Sequence, residues 1–239
     1  MIAWQRQIRD ARARLALDHD LFGAYWTHCD LTLKRSQVRA IDRATAASMI
    51  LPYEWLGTMP TVTHAHYGVF FSGVLGGAIV FGPDPAENLG VWDRYGWGGG
   101  RLWLLARGAC AHWTPTGSAS RLIRRAMRLL PPTVEVITAL VDPAAGEIGT
   151  IYQACGFDYV GVMGHGRYEA RTTNGTTVSE RQLRREDADT ITKLARLDTP
   201  VTASYVPSRA RYFAFRGPSA RHHRARLASR FQPYPKRRR

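Results

Sequence analysis

An α/β fold, with a mixed central sheet flanked by helices, is what this 239-residue chain predicts, and three observations carry that expectation. First, short β-branched and aromatic runs alternate with segments of helical character along the chain. Second, the stretch from Val134 to Gly161, VEVITALVDPAAGEIGTIYQACGFDYVG, sets a strand, a short helix and a second strand close together, the shape of a buried crossover unit. Third, His66 to Ser72 and Val74 to Phe81 form two apolar runs around Ser72-Gly73, the pattern of a β-hairpin.

The elements follow in chain order. Residues 1–17 place Trp4, Ile8, Ala11 and Leu15 at helical spacing with arginines between them, an amphipathic helix. Leu31 to Ile41 suits an edge strand, and Asp42 is the N-cap expected for a helix from Arg43 to Leu51 that Pro52 ends. Gly76-Gly77 within the second hairpin strand predicts a bulge or a close approach. Residues 82–100, rich in Gly, Pro and Trp, predict a long loop that helps build the site. Leu102 to Ala106 is a further strand, and Ser118 to Leu130 a helix with an apolar face and a basic one (Arg121, Arg124, Arg125, Arg128) that Pro131-Pro132 stops. After Gly161 come a strand near Arg167 to Thr172, a turn at Asn174-Gly175 and a polar helix over 179–197.

Composition limits the function classes. No apolar run approaches the roughly 18 residues of a membrane span, and the N-terminus lacks the apolar core of a signal peptide, so no membrane role and a cytoplasmic location are expected. Cys29, Cys110 and Cys155 are odd in number and widely separated, which disfavours a disulfide framework. His28, Cys29 and Asp30, His64 and His66, and Cys110 and His112 match no metal-ligand spacing, so no metal site is assigned. No Walker loop is present and no GxGxxG follows a strand, which disfavours ATP hydrolysis and dinucleotide redox chemistry.

Charge points to a polyanion. The net charge is +14, and no acidic residue follows Asp198, whereas Arg209, Arg211, Arg216, Arg221, Arg224, Arg226, Arg230 and the terminal Lys-Arg cluster do. Arginine forks suit phosphate oxygens, and the interleaved aromatics can stack on bases. Arg209, Arg211, Arg216, Arg221 and Arg224 are the expected nucleic-acid contacts. The alternative is a solvated basic tail.

Candidate chemistry gathers at three places. Glu54 and Trp55 lie between Pro52 and Pro60, where a Glu beside bulky aromatics is desolvated and suited to proton transfer; a backbone-capping Glu beside a gap-filling Trp is the alternative. Gly117-Ser118-Ala119-Ser120 opens a helix and offers N–H groups and hydroxyls to a phosphate or oxyanion, a role compatible with simple capping. Asp142 and Tyr152 leave the crossover unit at one end of the sheet, where open α/β sheets keep their sites.

The helix opening at Gly117 to Ser120 and the motif VDPxxGxIGTIYQACGFxYVG resemble the GNAT acyltransferase superfamily, and more closely its phage-borne Mom branch of DNA-modifying proteins. The resemblance covers roughly residues 36–216, including a late RARYFAF segment. It implies a GNAT-like sheet over residues 36–178, with an N-terminal helical segment at 1–35 and, at 179–239, a helix and basic extension for nucleic-acid contact. It also implies an enzyme that adds a carbamoylmethyl, glycinamide or related acyl-derived group to N6 of adenine in double-stranded DNA, so shielding phage DNA from restriction. Carried over residue by residue, the family Asp is Asp142, the Tyr is Tyr152 and the Ser is Ser120 or Ser118. The family His-Tyr pair corresponds in chain order to Glu54-Trp55, while the literal His66-Tyr67 lies later; Trp55, His66, Tyr67 and Arg107 are thus the substrate-contacting candidates. The resemblance leaves the donor open between acetyl-CoA and an aminoacyl-tRNA, because Arg107 to His112 does not satisfy the GNAT pyrophosphate motif. It suggests iron, which the ligand spacing here does not support. A CoA-dependent N-acetyltransferase for a small-molecule or protein amine and a non-catalytic DNA-binding module are the competing classes.

Overall fold

The structure is a computed structural model and describes residues 3–18, 30–163, 167–172, 177–179, 201–206 and 208–236. Helix α1 (Trp4–Asp18) precedes β1 (Gln37–Ala40), α2 (Arg43–Tyr53) and the hairpin of β2 (Ala65–Phe71) and β3 (Val74–Pro83). Strand β4 (Leu102–Cys110), α3 (Ser118–Leu129), β5 (Val136–Val141), α4 (Thr150–Ala154) and β6 (Asp158–Val162) follow. Then come β7 (Arg167–Thr172), β8 (Thr177–Ser179), β9 (Val201–Val206), β10 (Ala210–Phe215) and α5 (Ala220–Leu227). The polar helix expected over 179–197 falls, from residue 180 on, outside the described residues, as do the Asn174-Gly175 turn and His28-Cys29. No helix among the described residues is long and apolar enough to cross a membrane.

The main sheet has seven strands in the order β1-β2-β3-β4-β5-β10-β6, and a small antiparallel sheet has the order β8-β7-β9. Only β4 and β5 of the main sheet's neighbours run parallel, and their pairing stops at Leu105↔Ala139. Strand β4 nevertheless continues to Cys110, held on its other edge by Gly77 of β3. The two strands therefore part at their C-terminal ends, which opens the sheet between them where ligands enter folds of this class.

Local sequence accounts for most of these elements. The Asp42 carboxylate accepts the Thr45 N–H at 2.7 Å, the expected N-cap. Helix α2 continues through Pro52 to Tyr53, two residues past the expected stop: Pro52 offers no N–H to the Ser48 carbonyl, but the Glu54 N–H still closes the last turn on the Ile50 carbonyl at 2.9 Å. Ser72 (φ 46) and Gly73 (φ 84) form the hairpin turn, and the register jumps from Val69↔Gly77 to Phe70↔Leu75, leaving Gly76 as the bulge.

Two layers cover the sheet. On one face Leu122, Ile123 and Ala126 of α3 pack on Val69, Phe71, Phe81, Leu105, Ile137 and Phe157. On the other, Ala46, Met49 and Ile50 of α2 pack on Ala78, Val80 and Ala109. A third cluster joins Trp92, Trp97, Val136, Phe213 and Leu227. Burying each such large side chain contributes about 1.5–3 kcal/mol.

Two expectations are corrected by this third cluster. The 82–100 loop does not help build the site: Trp92 and Trp97 are buried against Phe213, with ring centroids 5.5 and 5.6 Å away. Likewise, a boundary at 178/179 does not separate sheet from extension, since β10 lies within the sheet between β5 and β6. The period-two alternation of ARYFAF explains its place: Tyr212 and Ala214 face the α3 layer, Phe213 and Phe215 the tryptophans.

Candidate active site

The Glu54-Trp55 segment leaves α2 and is fastened from three sides. The Glu54 carboxylate accepts the Leu56 N–H at 2.9 Å. Arg107 on β4 donates to the Thr58 carbonyl at 2.9 Å, tying down the far end of the loop. From α1, the Gln5 side-chain amide donates to the Tyr53 carbonyl at 2.5 Å and accepts the Trp55 N–H at 3.1 Å. Trp4 meets the Trp55 ring edge-on, with centroids 5.1 Å apart.

Opposite stands the end of β5. The Asp142 carboxylate caps the turn after the strand by accepting the Ala144 N–H at 3.0 Å, and it lies 3.7 Å from the Arg209 guanidinium. Glu147 links the two halves: it accepts the Asp142 N–H at 2.9 Å and the Trp55 indole N–H at 3.1 Å. Gly149 (φ 68) then starts α4 so tightly that a Cβ there would come within 2.5 Å of the Tyr212 ring. The Tyr212 hydroxyl donates to the Ile148 carbonyl at 2.6 Å, fixing the turn that presents Tyr152. Tyr152 packs on Phe157 and Tyr212, with centroids 5.4 and 5.6 Å away. Gly149→Ala is accordingly expected to cost about 2–4 kcal/mol through strain and overpacking, read as a fall in the denaturant midpoint.

The electrostatics of this cluster favour proton transfer. Burial pushes the Glu54 carboxyl up to about 7, and the Arg107 guanidinium, 3.9 Å away, offsets this only in part. Burial also raises Glu147, with the Asp142 charge adding to the effect, and the Glu147 charge in turn raises Glu54. Tyr152 is raised by burial and by the charges of Glu147 and Glu54, so its hydroxyl keeps its proton. The cluster thus sets a carboxyl that can accept a proton near neutrality in the same neighbourhood as a phenol that keeps its own.

Of the residues expected from sequence, Glu54, Trp55, Arg107, Asp142 and Tyr152 are brought together here. Sequence reasoning misses Glu147 and the bracing by α1; the available signal was a lone carboxylate in the otherwise apolar PAAGEIG segment. Ser118 is buried with its hydroxyl turned to the Pro115 carbonyl at 2.6 Å, and Ser120 donates to the Gly117 carbonyl at 3.0 Å, so both hydroxyls close the first turn of α3. Tyr67 lies in the core, donating to the Leu129 carbonyl at 3.2 Å, and His66 meets Thr63 at 3.0 Å; neither joins the cluster. A tyrosine-histidine pair does arise in space, Tyr53 with His112 at 3.2 Å, from positions too far apart for the sequence to connect.

The expected nucleic-acid arginines are largely engaged within the protein. Arg211 is buried, donating to Asp84 and, at 3.1 Å, to Thr138, because its β10 position points into the third cluster. Arg216 donates to the Pro131, Val134 and Leu130 carbonyls at 2.6, 2.8 and 3.1 Å, capping the chain after α3. Arg224 forms a two-pronged pair with Asp158, both distances 2.7 Å. Arg209 lies on Asp142, and Arg221 is exposed on α5. Burial pushes the Cys110 thiol up to about 12, which leaves it unreactive.

Among solved structures, a GNAT family acetyltransferase from Elizabethkingia anophelis with acetyl-CoA bound superposes with a TM-score of 0.44 at 10% identity, over 76% of this chain and 98% of that one. The IAA acetyltransferase from Bacillus cereus gives 0.40 at 12% identity, over 74% and 97%. The methylcarbamoylase mom of Escherichia phage Mu is 26% identical over 212 residues, 85% of each chain. The Mom protein family matches residues 35–236, which include every strand of the main sheet and every residue of the cluster except those on α1, and the chain belongs to that family.

Proposed function

We propose that this protein is a transferase that modifies a DNA base, attaching a carbamoylmethyl, glycinamide or related acyl-derived group to the exocyclic N6 amine of adenine and so protecting the DNA from restriction. Family membership and the methylcarbamoylase of phage Mu support the reaction class. The observation that carries the reading is the meeting of Glu54, Glu147 and Tyr152 where β4 and β5 part.

The target amine is paired within a duplex, so the base is flipped into the cleft, where Trp55 lines its path. The amine nitrogen attacks an activated carbon of the donor; the N–C bond forms as the bond to the leaving group breaks. Glu54 in its carboxylate form accepts the amine proton. Tyr152 supplies a proton to the leaving group, and Arg107 offsets negative charge beside Glu54. Glu147 holds Trp55 against the end of β5.

The residues present do not form a pyrophosphate cradle of the acetyl-CoA type. Arg107, Gly108, Ala109 and Cys110 are strand residues paired with β3, and the loop that follows gives its His112 and Thr114 carbonyls to Arg9 of α1, at 3.1 and 2.8 Å. Iron does not fit the cluster either. Among the described residues no three His, Cys, Asp or Glu side chains are placed to hold a metal, and Glu54, Asp142 and Glu147 are already hydrogen-bonded to backbone and indole N–H groups.

Mass spectrometry of nucleosides from cells expressing the protein tests the proposal. The expected result is a new adenine-derived nucleoside that Tyr152→Phe lowers on the order of 10²–10³-fold. Unmodified DNA from cells holding folded wild-type protein would overturn it.

A further inference from the structure

Helix α3 carries Arg121, Arg124, Arg125 and Arg128 and no acidic residue. Arg125 and Arg128 are exposed, and among the described residues neither makes a hydrogen bond or an ion pair. Arg121 anchors the helix to the preceding segment through the Lys34 and Ser36 carbonyls, at 3.1 and 2.8 Å, and burial, followed by the neighbouring Arg125 charge, lowers its pKa below the arginine range. Like charges spaced i,i+4 destabilise a helix by a few tenths of a kcal/mol each. Arg125 and Arg128 differ in this from the arginines near the C-terminus, where Arg211, Arg216 and Arg224 are committed to internal contacts.

Location gives this face its meaning. Arg124 donates to the Ala154 carbonyl at 2.8 Å, and the Cys155 thiol approaches the Ser120 carbonyl at 3.6 Å, so α3 lies directly against α4, the helix that presents Tyr152. Exposed Lys34, whose carbonyl anchors Arg121, lies beside this face. From Arg121 to Arg128 the helix rises about 10 Å, roughly the axial length of three steps of one DNA strand.

We propose that the exposed face of α3, through Arg125 and Arg128 above all, is the surface that grips the phosphate backbone of double-stranded DNA and sets a base at the mouth of the cleft. This assignment rests on the DNA-modifying reading above. Phosphates seated there relieve the repulsion among the arginines, and they hold the duplex one helix away from Tyr152 while the target base swings in.

The test is duplex-DNA affinity by fluorescence anisotropy over a salt series, for the full chain and three double variants. R125A/R128A is expected to bind about 10- to 100-fold more weakly, with a slope of log affinity against log salt shallower by about 2, at roughly 0.9 per lost phosphate contact. R125K/R128K is expected to keep the slope, since it keeps the charge. R94A/R101A, which removes the same net charge elsewhere, is expected to change affinity less than about threefold. Equal losses in R94A/R101A and R125A/R128A would overturn the assignment, as would an unchanged slope in R125A/R128A. If the wild-type chain binds no duplex DNA, the DNA reading itself falls. The melting temperature of each variant is recorded alongside; because Arg125 and Arg128 make no hydrogen bond or ion pair among the described residues, that of R125A/R128A is expected not to fall.

Discussion

Glu54→Gln is expected to lower base modification on the order of 10²–10⁴-fold and to remove the rise of activity through pH 7. The side chain is 8% exposed, and its carboxyl is pushed from an ordinary 4.5 up to about 7. The active form is the carboxylate, so wild-type activity climbs as pH passes through about 7, whereas a glutamine cannot accept the proton at any pH. Stability moves the opposite way. Between about 4.5 and 7 the folded protein holds a proton that the unfolded chain has released, so the carboxyl's burial costs stability progressively as pH rises across that window. Above it the cost reaches up to about 3 kcal/mol. The substituted amide still accepts the Leu56 N–H without carrying a charge, so the variant is expected to melt higher than wild type at pH 8 and about equally at pH 4. Parallel melting curves at both pH values would show that Glu54 is not held near neutrality by burial.

The second large effect is structural. Arg211→Ala is expected to destabilise the protein by about 3–5 kcal/mol, because it strands a buried carboxylate. Asp84 is fully buried and keeps only the Ala86 N–H at 2.8 Å and the Trp92 indole N–H at 3.1 Å once the guanidinium is gone. The guanidinium also lies 5.0 Å over the Trp92 ring, so its packing is lost too. A fall in melting temperature of roughly 6–20 °C follows for a domain of this size. Replacing both partners with apolar residues, Asp84→Leu with Arg211→Met, is expected to recover most of the loss. Should Arg211→Ala melt like wild type while losing DNA affinity, Arg211 belongs to the nucleic-acid surface after all.

These two residues show why sequence reaches some features and misses others. Glu54 was legible because two prolines and flanking aromatics announce a constrained, apolar loop. Arg211 was misleading: its neighbours in sequence are arginines and aromatics, which read as a nucleic-acid tail, yet its strand alternation places it inside. Glu147 was nearly silent, since its role depends on Trp55, 92 residues earlier in the chain, which comes within reach only when the sheet closes.

By itself the sequence determined the local and periodic features: the N-cap at Asp42, the bulged hairpin, the arginine-faced helix, and the Asp142–Tyr152 motif that carries the family resemblance. These rest on interactions within a few residues, or on a repeat of two or 3.6 that any reading of the chain displays. The tertiary structure alone decided that β10 divides β5 from β6, that α1 braces the Glu54 loop, and which arginines are committed to internal contacts. Each of those depends on which distant segment supplies a counter-charge, a carbonyl or an apolar face, and chain order does not encode it.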